Sequence, residues 1–109
     1  MVVKQFEVYL ITLDPAKGSE IKKTRPCVIV SPNEMNHYLN TVIVVPLTSA
    51  IKNYPTRVKC SFENKDGQVA IDQMRAVDKS RLVKKLGVLK DKVVQDKVLI
   101  ILQDMFQYR

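Results

Sequence analysis

The sequence predicts a mainly β, α+β fold: a small, strongly bent antiparallel sheet or half-open barrel with one C-terminal helix over its open face. Three observations predict it. Short runs rich in β-branched residues recur along the chain, turn residues separate most of them, and a single stretch of helical periodicity closes the sequence. At 109 residues the chain is expected to form one domain, spanning 1–109, with no internal repeat or low-complexity segment.

In chain order, Phe6 to Leu13 alternates as a strand and is stopped by Asp14-Pro15. A polar, charged connection from Asp14 to Thr24 follows, interrupted by Pro15 and Gly18. Cys27 to Val30 is a continuous apolar run, predicting a strand buried on both faces, and Arg25 before Pro26 is expected to be extended as the chain enters it. Ser31-Pro32-Asn33 marks a turn and a possible helix start, with one or two short turns over Glu34 to Tyr38. Thr41 to Leu47 reads as a strand, and Pro46 within it predicts an edge position or a strand end.

After a turn at Asn53-Tyr54-Pro55, Thr56 to Cys60 alternates as a strand. Glu63 to Gly67 predicts a hairpin turn, and Gln68 to Ile71 the start of the returning strand. Asp72 to Val77 continues extended or bulged, Asp78-Lys79-Ser80 reads as a capped turn, and Leu82 to Leu89 as a last short strand. Val94, Val98, Ile101, Leu102 and Met105 recur at helical spacing, predicting an amphipathic helix over Asp91 to Phe106 with Asp91 as its N-cap.

Composition narrows the function. The formal charge is +7, and between Arg75 and Lys92 seven basic residues face only two acidic ones, Asp78 and Asp91. Such a field attracts nucleic acid, an anionic membrane or an acidic protein, and serves equally well as a solvated face. The opening residues carry charges without a following apolar h-region, and the apolar runs are too short to span a bilayer, so a cytosolic protein is expected. Cys27 and Cys60 lack metal-ligand spacing and read as reduced, partly buried residues. One histidine, His37, cannot supply the acid and base of a two-histidine nuclease, and the three scattered glycines make no phosphate loop. What remains are polar residues at strand ends that a curled sheet can gather on one rim: Glu20 and Arg25, Thr48 and Ser49, and Asp72, Gln73 and Arg75.

Four segments in order carry a resemblance: Val8 to Pro15, Gly18 to Pro26, Val44 to Ser49 and Asp72 to Asp78. Together they resemble the MazF/PemK family of toxin endoribonucleases from bacterial toxin–antitoxin pairs. The resemblance implies an SH3-like, CcdB-type barrel with a C-terminal helix, acting as a homodimer on single-stranded RNA and neutralised by a small acidic antitoxin. It implies metal- and cofactor-independent cleavage in which the ribose 2′-hydroxyl attacks phosphorus, leaving a 2′,3′-cyclic phosphate and a 5′-hydroxyl. Arg25 matches the family's catalytic arginine and Thr48 its partner threonine, with Glu20 and Asp72 as acids that could move the proton. RNA contacts are expected from Ser19, Lys22, Lys23, Ser49, Gln73, Arg75, Lys79 and Arg81.

The sequence departs from the PemK-like branch at Ser19, where that branch has histidine, and at Ala70, where it has arginine. Phe6 stands where the family usually has glycine, a change expected to affect only local packing. A gyrase-inhibiting CcdB-like toxin and a non-catalytic nucleic-acid-binding barrel are the alternatives.

Overall fold

Among the described residues the short β-branched runs become seven strands: β1 (Glu7–Thr12), β2 (Thr24–Ile29), β3 (Thr41–Thr48), β4 (Arg57–Phe62), β5 (Lys65–Ala70), β6 (Arg75–Asp78) and β7 (Leu82–Val88). Helix α1 (Asn33–Tyr38) lies between β2 and β3, and α2 (Lys92–Met105) follows β7. The structure is a computed structural model and describes residues 1–13 and 24–109. All pairings are antiparallel, in the order β4-β5-β3-β2-β1-β7, with β6 added to β3. The sheet is bent but unclosed, an open barrel-like α+β architecture.

Strand β3 is the hub. Its first half, Thr41 to Val44, pairs with β6, and its last two residues, Leu47 and Thr48, pair with β5, while Val44 to Pro46 pair with β2. Pro46 is therefore at neither an edge nor an end. It stands between the stretch that pairs with β6 and the stretch that pairs with β5, a gap where a ring without an N–H is tolerated.

Strand alternation distributes apolar side chains to both sheet faces. Val8, Val28 and Val45 join one buried cluster with Val58, Val69, Ile71, Val94 and Val98. Tyr9, Ile11, Cys27, Ile29, Val42 and Val44 join a second with Val77 and Leu82. The apolar run at Cys27 is thus buried on both faces, as expected, and each fully buried valine contributes roughly 1.5–3 kcal/mol relative to exposure. Helix α2 covers the first cluster, and the Asp91 carboxylate accepts the Val93 amide at 2.9 Å as its N-cap. No helix among the described residues is long and apolar enough to cross a membrane.

The β4–β5 turn is tighter than the sequence suggests. Phe62 pairs directly with Lys65, leaving Glu63 and Asn64 as a two-residue turn with φ of 52° and 62°. Two successive positive φ values define the primed turn that matches strand twist, and Asn tolerates that region. Gly67, the expected turn glycine, sits inside β5 instead. The Asp78 side chain accepts the Ser80 amide at 2.9 Å, capping the 3₁₀ turn Lys79–Arg81 as expected.

Phe6 also differs from expectation. Its φ is 69°, so its backbone occupies the left-handed region that glycine adopts freely, at a cost of about 1–2 kcal/mol for other residues. The ring is buried in the first cluster, while the Phe6 amide donates to the Ile29 carbonyl at 2.7 Å and the Leu89 amide donates to the Phe6 carbonyl at 2.8 Å. Core packing here holds a strained backbone. Phe6→Ala should lose about 3–5 kcal/mol, and Phe6→Gly should be more stable than Phe6→Ala by roughly 1 kcal/mol, reversing the usual Ala-over-Gly order. Urea unfolding of both variants checks this, and an ordinary Ala-over-Gly order would contradict it.

Candidate functional site

Arg25 lies in β2, opposite Ile11 of β1, and is exposed. The β2–β3 ladder pairs Cys27 with Pro46, Val28 with Val45 and Ile29 with Val44, and carrying the same count outward sets Arg25 across from Thr48. Because side chains alternate, Arg25 shares the face of Cys27 and Ile29, and Thr48 that of Val42 and Val44. Those four residues belong to one cluster, so the cationic and hydroxyl side chains lie on the same face at adjoining strand ends.

Arg75 joins them. It opposes Val44 across the β3–β6 ladder and shares a face with Val77 of the same cluster. The Cys27 thiol reports both arginines: burial pushes its pKa up to about 12, while the positive charges of Arg25 and Arg75 oppose that rise. The thiol stays protonated at neutral pH and does not serve as a nucleophile. Cys60 is also free and half-buried.

The Thr48 hydroxyl is oriented by its own loop. Its oxygen accepts the Ala50 amide at 3.1 Å, which directs the hydroxyl proton away from that bond and leaves it to donate outward. Gly67 of β5 fits close behind: a Cβ there would stand 2.5 Å from the Thr48 carbonyl oxygen. Its neighbour Gln68 pairs with Thr48 and sends its side-chain amide to Lys52, accepting the Lys52 N–H at 3.1 Å and donating to the Lys52 carbonyl at 3.0 Å. Sequence reasoning missed both roles. Gln68 carried one signal, a polar residue leading directly into the apolar run Val69 to Ile71, which when buried must find partners.

Asp72 is engaged elsewhere. Its carboxylate receives Arg57 Nε at 2.7 Å and a second guanidinium nitrogen at 3.2 Å, with the Thr56 hydroxyl donating at 3.0 Å. The Arg57 guanidinium in turn lies 5.2 Å from the Tyr54 ring centroid. The two-pronged bond from Arg57 holds the Asp72 pKa below the usual carboxylate range, helped by the Thr56 hydroxyl against a smaller opposing effect of burial. A carboxylate so occupied is a weak base, and its contacts shape the end of the β3–β4 connection.

Other expected RNA contacts have internal partners. Lys79 donates its ammonium to the Asn36 carbonyl, tying α1 to the 3₁₀ turn. Half-buried Arg81 donates to the carbonyls of Thr12 and Leu13, at 3.3 and 3.2 Å, where β1 ends. Gln73 and Ser49 are exposed. Ser19, Glu20, Lys22 and Lys23 lie outside the described residues. His37 is exposed and edge-on to Tyr38, with ring centroids 4.8 Å apart. Among the described residues, no group of three or more His, Cys, Asp or Glu could hold a metal ion.

This fold and this pair of strand ends define a class that the comparisons identify. The family described as PemK-like, MazF-like toxin of type II toxin-antitoxin system matches residues 4–106, and the chain belongs to it. It is 37% identical over 101 residues to the protein named endoribonuclease MazF of Staphylococcus saprophyticus, covering 87% of this chain and 84% of the relative. Among solved structures, MazE-MazF (Form-II) from Deinococcus radiodurans superposes with a TM-score of 0.82 at 25% identity over 96% of both chains. An endoribonuclease in complex with its cognate antitoxin from a mycobacterial species superposes at 0.78, with 24% identity over 98% of this chain and 99% of that one.

The Asp72 clamp has a pH signature. A carboxylate whose folded pKa is lowered adds stability that is complete above the unfolded pKa and is lost as pH falls through the folded one. Asp72→Asn should therefore flatten the decline of the urea midpoint as pH falls below about 4. Parallel declines of wild type and variant would show that the clamp does not depend on ionisation.

Proposed function

We propose that this toxin is a sequence-selective endoribonuclease, an mRNA interferase that cleaves single-stranded RNA without a metal ion. The observation that carries the reading is the placement of Arg25 and Thr48 on one sheet face at adjoining strand ends. The endoribonuclease name of the staphylococcal relative supports it.

In the proposed reaction the ribose 2′-oxygen attacks phosphorus, the bond to the 5′-oxygen breaks, and a 2′,3′-cyclic phosphate and a 5′-hydroxyl result. Because the substrate supplies the nucleophile, the protein must align the phosphate, stabilise charge on its non-bridging oxygens and move two protons. Arg25 presents a planar fork of N–H donors suited to two phosphate oxygens. Thr48 adds one donor, since its oxygen already accepts the Ala50 amide. A guanidinium offers five N–H donors and no acceptor, which makes it a poor base. With Asp72 held by Arg57 and Thr56, Glu20 is the acid we assign to take the 2′-hydroxyl proton.

The net charge of +7 suits both an RNA backbone and a small acidic antitoxin covering the same surface, so both associations should weaken with salt. An antitoxin accompanies the toxins of the mycobacterial neighbour and, as MazE, of Deinococcus radiodurans. We further propose a cytoplasmic, homodimeric protein, in keeping with its free cysteines and an mRNA substrate.

Incubation with long single-stranded RNA in excess chelator tests the reading. Cyclic-phosphate ends are the expected product, whereas gyrase inhibition without cleavage, or RNA binding alone, would overturn it. Arg25→Lys should lower turnover roughly 10- to 100-fold, because a point charge replaces a fork. Glu20→Gln should lose more turnover than Asp72→Asn, whose main effect should be on stability. Wild-type turnover in Arg25→Lys, with Glu20→Gln also silent, would contradict this division of roles.

A further inference from the structure

Gln68 occupies an unusual position beside the paired strand ends. It is 3% exposed near the end of β5, and the next three residues along the chain, Val69, Ala70 and Ile71, are all fully buried. A buried amide is costly unless both its ends are bonded, and here both are, to one backbone unit: the N–H and C=O of Lys52. The same residue pairs with Thr48 through the β3–β5 ladder. The arc from Thr48 to Lys52 is thus anchored at both ends by Gln68, at one end through strand pairing and at the other through its side chain.

Two further contacts narrow the arc's freedom. Thr48 accepts the Ala50 amide inside it, and the Thr48 carbonyl packs against Gly67 so closely that no side chain fits. Beside the arc opens a cavity of about 290 Å³, walled by Pro26, Leu47 and Phe62, with Thr48, Ser49 and Gln68 among its polar lining. The carbonyl and amino ends of Gln68 are engaged with Lys52, so its influence on a substrate runs through the arc it holds.

We propose that Gln68 is a positioning residue that sets the conformation of the arc Thr48–Lys52, and through it the RNA sequence that the toxin selects. This rests on the ribonuclease reading above. The arc carries the Thr48 hydroxyl and exposed Ser49 together, so the base beside the cleaved phosphate meets a surface whose shape Gln68 sets. Releasing the arc misplaces these groups relative to the phosphate, and a displacement of about 1 Å can cost up to two orders of magnitude in rate.

Three variants of the full chain test this by mapping cleavage ends on a long single-stranded RNA of known sequence, with thermal unfolding measured in parallel. Gln68→Met keeps the volume and removes both bonds. It should lower kcat/KM at the preferred sites roughly tenfold and flatten the ratio of preferred to other sites. Gln68→Glu keeps an acceptor for the Lys52 amide but loses the donor to its carbonyl, and should fall between. Lys52→Ala keeps the backbone that Gln68 grips, and should retain the wild-type choice of sites.

A folded Gln68→Met protein that cuts the wild-type sites in the wild-type ratio overturns the proposal. If Gln68→Met fails to fold, unchanged site choice in Gln68→Glu overturns it equally. A loss of rate that is uniform over all sites would reduce Gln68 to a structural anchor and also overturn it. Wild-type protein that cuts no RNA would sink the ribonuclease reading itself, a result distinct from cutting that ignores Gln68.

Discussion

Strand β3 must satisfy three neighbours, and the rest of the molecule follows from how it does so. Pairing with β6 along its first half and with β5 along its last two residues bends the sheet, because one strand cannot stay flat while its partner on one side changes. Pro46 stands where that change occurs. The bend brings the end of β3 beside β5, where Thr48 meets Gly67 and Gln68, while β2 on the other side delivers Arg25. A threonine ending an ordinary flat strand would have no such support.

Charge is divided between structure and function more evenly than composition suggests. Of the seven basic residues between Arg75 and Lys92, Lys79 and Arg81 bond backbone carbonyls, Lys85 pairs with Glu7 at 2.5 Å and Lys92 with Asp96 at 3.0 Å. Glu7 is itself buried. Burial alone would raise its pKa, but hydrogen bonds from Lys85 and the Lys4 amide outweigh it and leave the carboxyl below its ordinary range. Basic side chains that close the fold are less available to an anionic partner than a count of charges implies. Arg25 and Arg75, felt together at Cys27, are the pair most directly associated with the candidate site.

What could be read in advance was local. The Asp91 cap, the Asp78 turn and the run at Cys27 depend on neighbours in sequence or on strand period, and each was visible there. The fold class and the Arg25 and Thr48 positions also followed from ordered motifs. The roles that escaped depend on residues far apart in the chain. Gly67 resembles a turn glycine until the Thr48 carbonyl is placed beside it, and Phe6 resembles a packing substitution until its φ is known. Asp72 looked free to act as a base because Arg57, its partner, lies 15 residues earlier in the chain, at the start of β4.

The two-residue turn at Glu63-Asn64 has a consequence beyond its own geometry. It sets the count by which Gly67 and Gln68 arrive beside Thr48, and side chains change sheet face with every residue. One residue added there, if the turn kept its two-residue form and β5 slid by one against β4, would bring a different side chain against the Thr48 carbonyl and turn the Gln68 amide away from Lys52. The length of a loop remote in sequence from Arg25 therefore acts as a ruler for the surface beside it.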